Sequence, residues 1–125
     1  MIKALGVRSW NLNADKFDEM VTFYRDVLGA EAGQSHTVGG VNVARLRLGS
    51  TGIGLFDATE GPRPGVPHHT VELDWVENSD TLTEELEGRG ATVENLRRHG
   101  EGPGYSLYVT DPCGNRLELS TDPPK

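Results

Sequence analysis

A stretch rich in proline and glycine divides this 125-residue chain into two segments of similar length. Residues 58–67 read ATEGPRPGVP and contain three prolines and two glycines. Proline lacks the backbone N–H that helices and inner strands use, so the stretch predicts a connector. The chain is therefore expected to form two structured modules, at about 1–57 and 68–122, within a single domain covering 1–125.

The first segment reads as strand, helix and three strands. A strand over residues 3–13 precedes a helix that ends at Gly29, where glycine takes the usual C′ position. Strands follow at 30–38, 41–48 and 53–56, the first two separated by a glycine turn. The helix carries one apolar stripe at i, i+3, i+4 spacing: Phe17, Met20, Val21, Tyr24, Val27 and Leu28.

The second segment repeats this order. A strand at 68–75 is followed by a helix near 81–89, a strand at 91–98, and two strands on either side of a turn at 111–115. The Gly29-Ala30 and Gly90-Ala91 pairs stand at equivalent helix ends, which indicates an internal repeat. The predicted fold class is α+β, built from two βαβββ modules.

The turn at 111–115 is the most specific local signal in the chain. Asp111 begins a type I turn, proline presets the next φ, and Gly114 closes it. After the turn, Leu117 and Leu119 alternate with polar residues, which is typical of a strand with one buried face. This alternation places Glu118 on the face opposite the leucines.

Composition excludes several classes of function. A net charge of −7 argues against a nucleic-acid partner, because phosphate binding needs a basic patch. The sequence has no 18-residue apolar run and no signal-peptide core near its first residue, so we expect no membrane association. The single cysteine, Cys113, excludes an intrachain disulfide, is interpreted as an inert exposed thiol, and suits a cytoplasmic protein.

Three motifs together resemble the vicinal oxygen chelate superfamily. They are FYRDVLG at 23–29, a histidine-bearing strand that opens the second segment, and DPCGNRLEL at 111–119. The superfamily includes glyoxalase I, extradiol dioxygenases, fosfomycin-resistance enzymes and bleomycin-resistance proteins. The resemblance implies that the two modules pair into a curved mixed sheet with a concave cleft. It also implies a small-molecule ligand and a homodimer.

The resemblance further implies where a metal ion would bind in metal-dependent members. His68 matches the ligand on the opening strand of the second module, and Glu118 matches the carboxylate on its last strand. In the first module the opening-strand position falls on Ser9 or near Val7, and residues 4–10 contain no His, Glu, Gln, Asp or Cys. Two ligands are too few for a catalytic metal site. We therefore expect no cofactor, with a divalent metal on His68 and Glu118 as the alternative.

The counterpart of Glu118 in the first module is ambiguous from the sequence. Matching the glycine turns gives Phe56, and matching the helix ends gives Asp57. Phe56 is favoured, because Ile53 and Leu55 then mirror Leu117 and Leu119. A phenylalanine at this position suits a stacking surface better than a metal site.

The strand periodicity also suggests which side chains line the predicted cleft. Thr70 and Glu72 share a strand face with His68, Ser9 and Asn11 form the matching face of the first strand, and Arg45 and Arg47 are further candidates. His36 and His99, on weak strand or loop segments, are interpreted as solvated. The predicted ligand-binding set is Ser9, Asn11, Arg47, Phe56, His68, Thr70, Glu72, Tyr108 and Glu118.

The leading functional prediction is a non-enzymatic protein that binds an antibiotic or another bulky natural product and confers resistance by sequestration, without a metal and without catalytic residues. The alternative is an enzyme. It is either a metal-dependent glyoxalase or dioxygenase type that uses His68 and Glu118, or a metal-free enzyme with His68, Glu72 or Glu118 as a general base. A regulatory ligand sensor is a third possibility.

Overall fold

The computed structural model describes residues 2–62, 64 and 66–125. Two positions of the predicted connector, 63 and 65, lie outside the described residues. The chain forms two compact units. The first unit comprises residues 8–68, and the second unit comprises residues 2–7 together with 69–125. The prediction that 1–125 is one domain stays a prediction.

The first unit contains one helical segment and five strands, the first of which lies only partly in this unit. In chain order the elements are β1 (Ala4–Ala14, with residues 8–14 in this unit), α1 (Phe17–Thr22) continued by a π-helical turn (Phe23–Val27), β2 (Glu31–Ala32), β3 (His36–Val38), β4 (Val41–Leu48) and β5 (Thr51–Asp57). The strand predicted at 30–38 is thus two short strands, and both pair with β4. β5 pairs antiparallel with β4 and parallel with β1.

The core of the first unit lies between one face of this sheet and α1. Leu46, Ile53 and Leu55 are buried there, and the helix side chains predicted as a stripe pack against them from Phe17 to Tyr24. Val27 and Leu28, predicted to continue the stripe, are instead 67% and 47% exposed. The helix changes to π-helical hydrogen bonding at Phe23, which shifts the later side chains out of the α-helical register.

The second unit has the matching order of elements. These are β6 (His68–Leu73, with residues 69–73 in this unit), α2 (Ser79–Gly88), β7 (Thr92–Arg98), β8 (Tyr105–Thr110) and β9 (Arg116–Thr121). β6 and β9 are parallel, whereas β9 with β8 and β8 with β7 are antiparallel. The helix begins two residues earlier than predicted, because the Asn78 side chain accepts hydrogen bonds from the backbone N–H groups of Asp80 (2.9 Å) and Thr81 (3.1 Å).

The core of the second unit lies on one face of its sheet. Leu82 and Leu86 of α2 pack against Tyr105, Leu107 and Leu119 of the strands. The other face is left to polar side chains, as the alternation around Glu118 predicted. The predicted fold class, α+β with two βαβββ modules and mixed strand pairing, is confirmed. Within the described ranges, no helix is long and apolar enough to cross a bilayer.

Candidate functional site

The polar face of the second unit holds a buried carboxylate. Glu118 on β9 pairs with Thr70 on β6 and with Tyr108 on β8, so these three residues form one row across the sheet. Ser106 lies on the same face, two residues before Tyr108. Glu118 is 7% exposed, Thr70 5% and Ser106 0%.

Three side chains hold this carboxylate. Ser106 Oγ and Arg97 Nη2 each donate to Glu118 Oε2 at 2.8 Å, and Thr70 Oγ1 donates to Oε1 at 3.3 Å. A buried carboxylate is costly unless it is hydrogen-bonded and paired with a cation, and these contacts supply both. The predicted face of Glu118 is therefore correct, and its predicted neighbours Thr70 and Tyr108 lie beside it.

Arg97 links the carboxylate to Tyr108. Its Nε donates to the Tyr108 hydroxyl at 3.1 Å. This hydrogen bond contributes most to raising the pKa of Arg97, partial burial opposes it, and the Glu118 carboxylate adds to the increase. The Arg116 guanidinium lies 4.4 Å from the centroid of the Tyr108 ring. The carboxylate thus has a permanently charged partner in a fixed position.

His99 extends the polar row towards the surface. Its Nε2 is 2.7 Å from Ser106 Oγ, and its Nδ1 is 2.8 Å from Asp122 Oδ1. The side chain is 21% exposed and both ring nitrogens are bonded, so the interpretation of His99 as solvated was wrong. A Cβ at Gly104 would collide with the Asp122 carboxylate, so glycine at this position leaves room for the pair.

The first unit has a polar cluster of different composition. His68 Nδ1 is 2.7 Å from the Val66 carbonyl oxygen, which can only accept, so Nδ1 carries the proton. In the neutral ring Nε2 then accepts from Asn11 Nδ2 at 3.1 Å. Arg45 donates from Nη1 to Asn11 Oδ1 at 2.9 Å and from Nε to His36 Nε2 at 3.0 Å. Asn11 is 6% exposed and joins the histidine to the guanidinium.

The two modules can be aligned by the ends of their parallel ladders. The β1–β5 ladder ends at the pair Ala14–Asp57, and the β6–β9 ladder ends at Leu73–Thr121. Gly54 stands three residues before Asp57, and Glu118 stands three residues before Thr121. Gly54 is therefore the counterpart of Glu118, and both earlier assignments, Phe56 and Asp57, were wrong. Side-chain similarity misled the comparison, because the two hairpin turns differ in length.

The side chains around Gly54 and Glu118 show whether either cluster could bind a divalent metal ion. A Cβ on Gly54 would collide with Arg45 Nη1 and Asn11 Oδ1, so the guanidinium lies over the position where the second module has its carboxylate. Around Glu118, the Arg97 guanidinium is already bound to the carboxylate. Within each unit, the described residues place no three His, Cys, Asp or Glu side chains where together they could hold one metal ion. A cationic guanidinium in each cluster does not fit a site for a divalent metal ion.

The other predicted ligand-binding residues have varied environments. Phe56 is 8% exposed and packs with Val43 and Val66 as part of a small core. Ser9 is half-buried beside Gly52, and exposed Arg47 donates to the Ser50 carbonyl oxygen at 3.2 Å. Glu72 is exposed. The structure thus places Asn11 with His68 in one cluster and Thr70, Tyr108 and Glu118 in another, and it places Ser9, Arg47 and Glu72 in neither.

Four residues of the Glu118 cluster were not among the predicted site residues: Arg97, His99, Ser106 and Asp122. Ser106 could have been found from the period of two that it shares with Tyr108. Arg97 pairs across the β7–β8 hairpin with Ser106, which the sequence pattern alone did not specify. His99 and Asp122 lie just beyond strand ends, where face periodicity no longer applies.

The chain is similar to solved structures with the same fold. Methylmalonyl-CoA epimerase from Mycobacterium tuberculosis is 18% identical, with 97% of this chain and 90% of that chain covered and a TM-score of 0.64. Hypothetical protein BH1468 from Bacillus halodurans C-125 is 15% identical, with 95% of each chain covered and a TM-score of 0.66.

Part of a longer dioxygenase structure aligns with nearly all of this chain. The 2,2',3-trihydroxybiphenyl 1,2-dioxygenase from Sphingomonas wittichii strain RW1 is 21% identical, with 94% of this chain and 42% of that chain covered and a TM-score of 0.63. At such identities the likeness shows the fold alone. The family model described as Glyoxalase/Bleomycin resistance protein/Dioxygenase superfamily matches residues 6–119. The chain belongs to this superfamily, as its motifs predicted.

Proposed function

We propose that the protein is an enzyme that moves a proton on a small organic substrate, in a reaction of isomerase or lyase type, with Glu118 as the group that takes up and returns the proton. The observation that carries this proposal is the buried carboxylate of Glu118. It is bound to a guanidinium on one side and connected through Ser106 to a histidine on the other.

Family membership alone leaves the class of function open. The family description names glyoxalases and dioxygenases beside bleomycin-resistance proteins. Sequestration of an antibiotic, the leading prediction from the sequence, has no support from the family or from the similar structures and stays a prediction. The residues favour an enzyme, because a ligand-sequestering surface has no need for a carboxylate linked to a titratable imidazole.

The chemistry of the Glu118 cluster suits proton abstraction beside a carbonyl. Arg97 at 2.8 Å favours the ionised carboxylate, which is the form that acts as a base. In the step proposed, a substrate C–H bond breaks, its proton goes to Glu118, and its electron pair forms an enolate. Arg97 is the candidate for stabilising the enolate oxygen, as a fixed cation beside the developing charge. No step is assigned to a metal ion, since the donor groups do not fit one.

Hydrogen–deuterium exchange tests the proposal without knowledge of the physiological substrate. The probes are 2-oxo acids, 2-hydroxy ketones and acyl thioesters with a C–H beside the carbonyl, incubated with the protein in D2O and followed by ¹H NMR. We expect catalysed exchange for at least one class. We also expect Glu118→Gln to lower its rate by about 10²–10⁴-fold, the usual contribution of a general base.

The matched control is Glu84→Gln, which makes the same chemical change at an exposed position of α2. This variant should exchange at the wild-type rate. Exchange that is equally fast in Glu118→Gln would exclude Glu118 as the base. A probe that binds in saturable fashion and returns chemically unchanged and without deuterium would instead support sequestration.

A further inference from the structure

A continuous row of hydrogen bonds joins Glu118 to the protein surface. It runs from Glu118 Oε2 to Ser106 Oγ (2.8 Å), from Ser106 Oγ to His99 Nε2 (2.7 Å), and from His99 Nδ1 to Asp122 Oδ1 (2.8 Å). The side chains become more exposed along this row, from 9% at Glu118 through 21% at His99 to 48% at Asp122. The row therefore connects a buried carboxylate with solvent.

The three hydrogen bonds require three protons, one for each bond. In one arrangement His99 carries both ring protons and Ser106 donates to an ionised Glu118. In a second, Glu118 is protonated and donates to Ser106, which donates to a neutral His99. In a third, Asp122 is protonated and donates to Nδ1 of a neutral His99, which donates from Nε2 to Ser106, and Ser106 donates to an ionised Glu118. All three bonds are made in each arrangement, and the total charge of the two carboxyls and the imidazole is −1 in each.

The arrangements differ only in where the three protons sit along the row, and the net result of each change is the transfer of one positive charge. In the change from the first arrangement to the second, the His99 Nε2–H bond breaks as that proton binds Ser106 Oγ. At the same time the Ser106 O–H bond breaks as its proton binds Glu118 Oε2. No electrons are exchanged and no other reactant is needed. Because no hydrogen bond is lost, the group is arranged for proton transfer along the row.

We propose that Asp122, His99 and Ser106 form a proton relay between solvent and Glu118. In the enzyme proposed above, the relay carries the substrate proton from Glu118 outwards to Asp122 and returns a solvent proton to the substrate. The three relay residues act through Glu118 and are positioning residues. The catalytic use of the relay rests on the proposed function, whereas its existence does not.

Charged and titratable groups border the relay on several strands. Arg97 of β7 contacts Glu118, and Arg116 of β9 lies against Tyr108. The Tyr108 hydroxyl oxygen accepts a hydrogen bond from Arg97 Nε, which stabilises the charged form of Arg97 beside the carboxylate. Glu72 of β6 pairs in register with Ser120, next to this row, and is exposed. Arg97 contacts the carboxylate at the buried end and favours a resting state with Glu118 ionised, whereas Arg116 is paired with Glu94 at 3.5 Å.

The test uses NMR titration of the protein without substrate. The ¹³Cδ shift of Glu118 and the ring ¹⁵N shifts of His99 are followed across pH. In the wild type we expect both residues to report a shared step, because strongly interacting sites titrate as a group. In Ser106→Ala the link is broken, so the two residues should titrate in separate steps. Ser50→Ala, which makes the same change at an exposed position between β4 and β5 of the first unit, should keep the shared step.

A second variant decides the matter if Ser106→Ala does not fold. In His99→Gln, the Glu118 carbon should lose the step that coincided with the imidazole. The relay is refuted if the Glu118 carbon ignores the His99 step in the wild type. It is equally refuted if the shared step survives in Ser106→Ala.

A kinetic measurement then separates the relay from the proposed function. For a probe turned over by the wild type, the relay predicts that the abstracted proton is replaced by solvent deuterium. Ser106→Ala should return more of the original hydrogen to the product. Shared titration together with full activity in Glu118→Gln would keep the relay and reject the proposed function. Activity that depends on Glu118 without shared titration would keep the function and reject the relay.

Discussion

Gly54 shows how a missing side chain shapes a polar cluster. It pairs with Asn11 on β1 and with Arg45 on β4, and the side chains of both neighbours meet above it. Its φ is not in the left-handed region, so space rather than backbone conformation requires glycine here. The guanidinium and the amide use that space to form their 2.9 Å hydrogen bond.

Gly54→Ala is expected to separate Arg45 from Asn11. The lost hydrogen bond involves a charged group, so we expect the free energy of unfolding to fall by about 1–3 kcal/mol in chemical denaturation. The same change in an Arg45→Met background should cost less, because the bond is already absent and only the contact with Asn11 Oδ1 remains. Gly88→Ala, where a Cβ meets open space, is the control and should not destabilise the protein. Equal losses with and without Arg45 would contradict this account.

The turn between β8 and β9 shows how a local motif fixes a strand at the scale of an element. Asp111 Oδ1 accepts from the backbone N–H groups of Cys113 and Asn115, both at 2.9 Å. Its Oδ2 accepts from the Asn115 amide at 3.0 Å, and Gly114 has a φ of 85°. Asp111 and Gly114 thus have the predicted roles, since the Gly114 N–H also donates to the Asp111 carbonyl oxygen at 3.0 Å. The turn sets the β8–β9 register, which in turn places Glu118 beside Tyr108.

Asp111 makes part of the stability depend on pH. The Asn115 amide, followed by the backbone N–H groups of the turn, lowers the pKa of the Asp111 carboxyl. A depressed pKa in the fold stabilises the protein above the unfolded-state value of about 3.9 and ceases to do so as the pH falls through the folded-state pKa. We therefore expect Asp111→Ala to lower the Tm near pH 7, and the difference from wild type to shrink below about pH 4.

Thermal unfolding followed by circular dichroism at several pH values measures this difference. Cys113→Ala is the control, since it keeps the backbone N–H that binds Asp111 and removes only an exposed thiol. It should leave the Tm unchanged at every pH. A constant difference between Asp111→Ala and wild type down to pH 2 would show that the charge of the carboxylate has no part in the turn.

At the scale of the whole molecule, the two compact units do not follow the order of the sequence. Residues 2–7 are part of the first module in sequence, yet they belong to the second unit. The Asp74 N–H donates to the Lys3 carbonyl oxygen at 2.9 Å, and Ile2 packs against the core that contains Leu82 and Tyr105. The second unit therefore depends on residues far from it in sequence.

Ile2→Ala should destabilise the second unit. Ile2 is half-buried, so we expect a loss of about 1–2 kcal/mol, below the range for fully buried positions. Trp75 belongs to the same core and reports its unfolding by fluorescence in a Trp10→Phe background. Leu5→Ala is the control, because Leu5 is 55% exposed and its loss should cost less than about 0.5 kcal/mol. Equal stabilities of the Ile2→Ala and Leu5→Ala variants would contradict the assignment of residues 2–7.

The sequence alone was enough to predict the order of the elements, the duplication, the superfamily and the face of Glu118. These properties follow from local causes, namely a period of two or 3.6, the conformations of proline and glycine, and a turn held by its own residues. They depend on neighbours within a few positions, so a pattern along the chain records them. The residue-by-residue correspondence of the two modules depends on strand pairing within each module, which is not local. Gly54 was therefore missed as the counterpart of Glu118.

The folded chain alone shows how the polar cluster is assembled. Arg97 and His99 reach the Glu118 cluster from β7 and its end, Ser106 reaches it from β8, and Asp122 reaches it from just beyond the end of β9. Periodicity specifies the face of a residue but not its neighbours across the sheet, and it specifies nothing beyond the ends of a strand. The hydrogen bonds that make Glu118 a candidate base therefore exist only once pairing has brought these residues together.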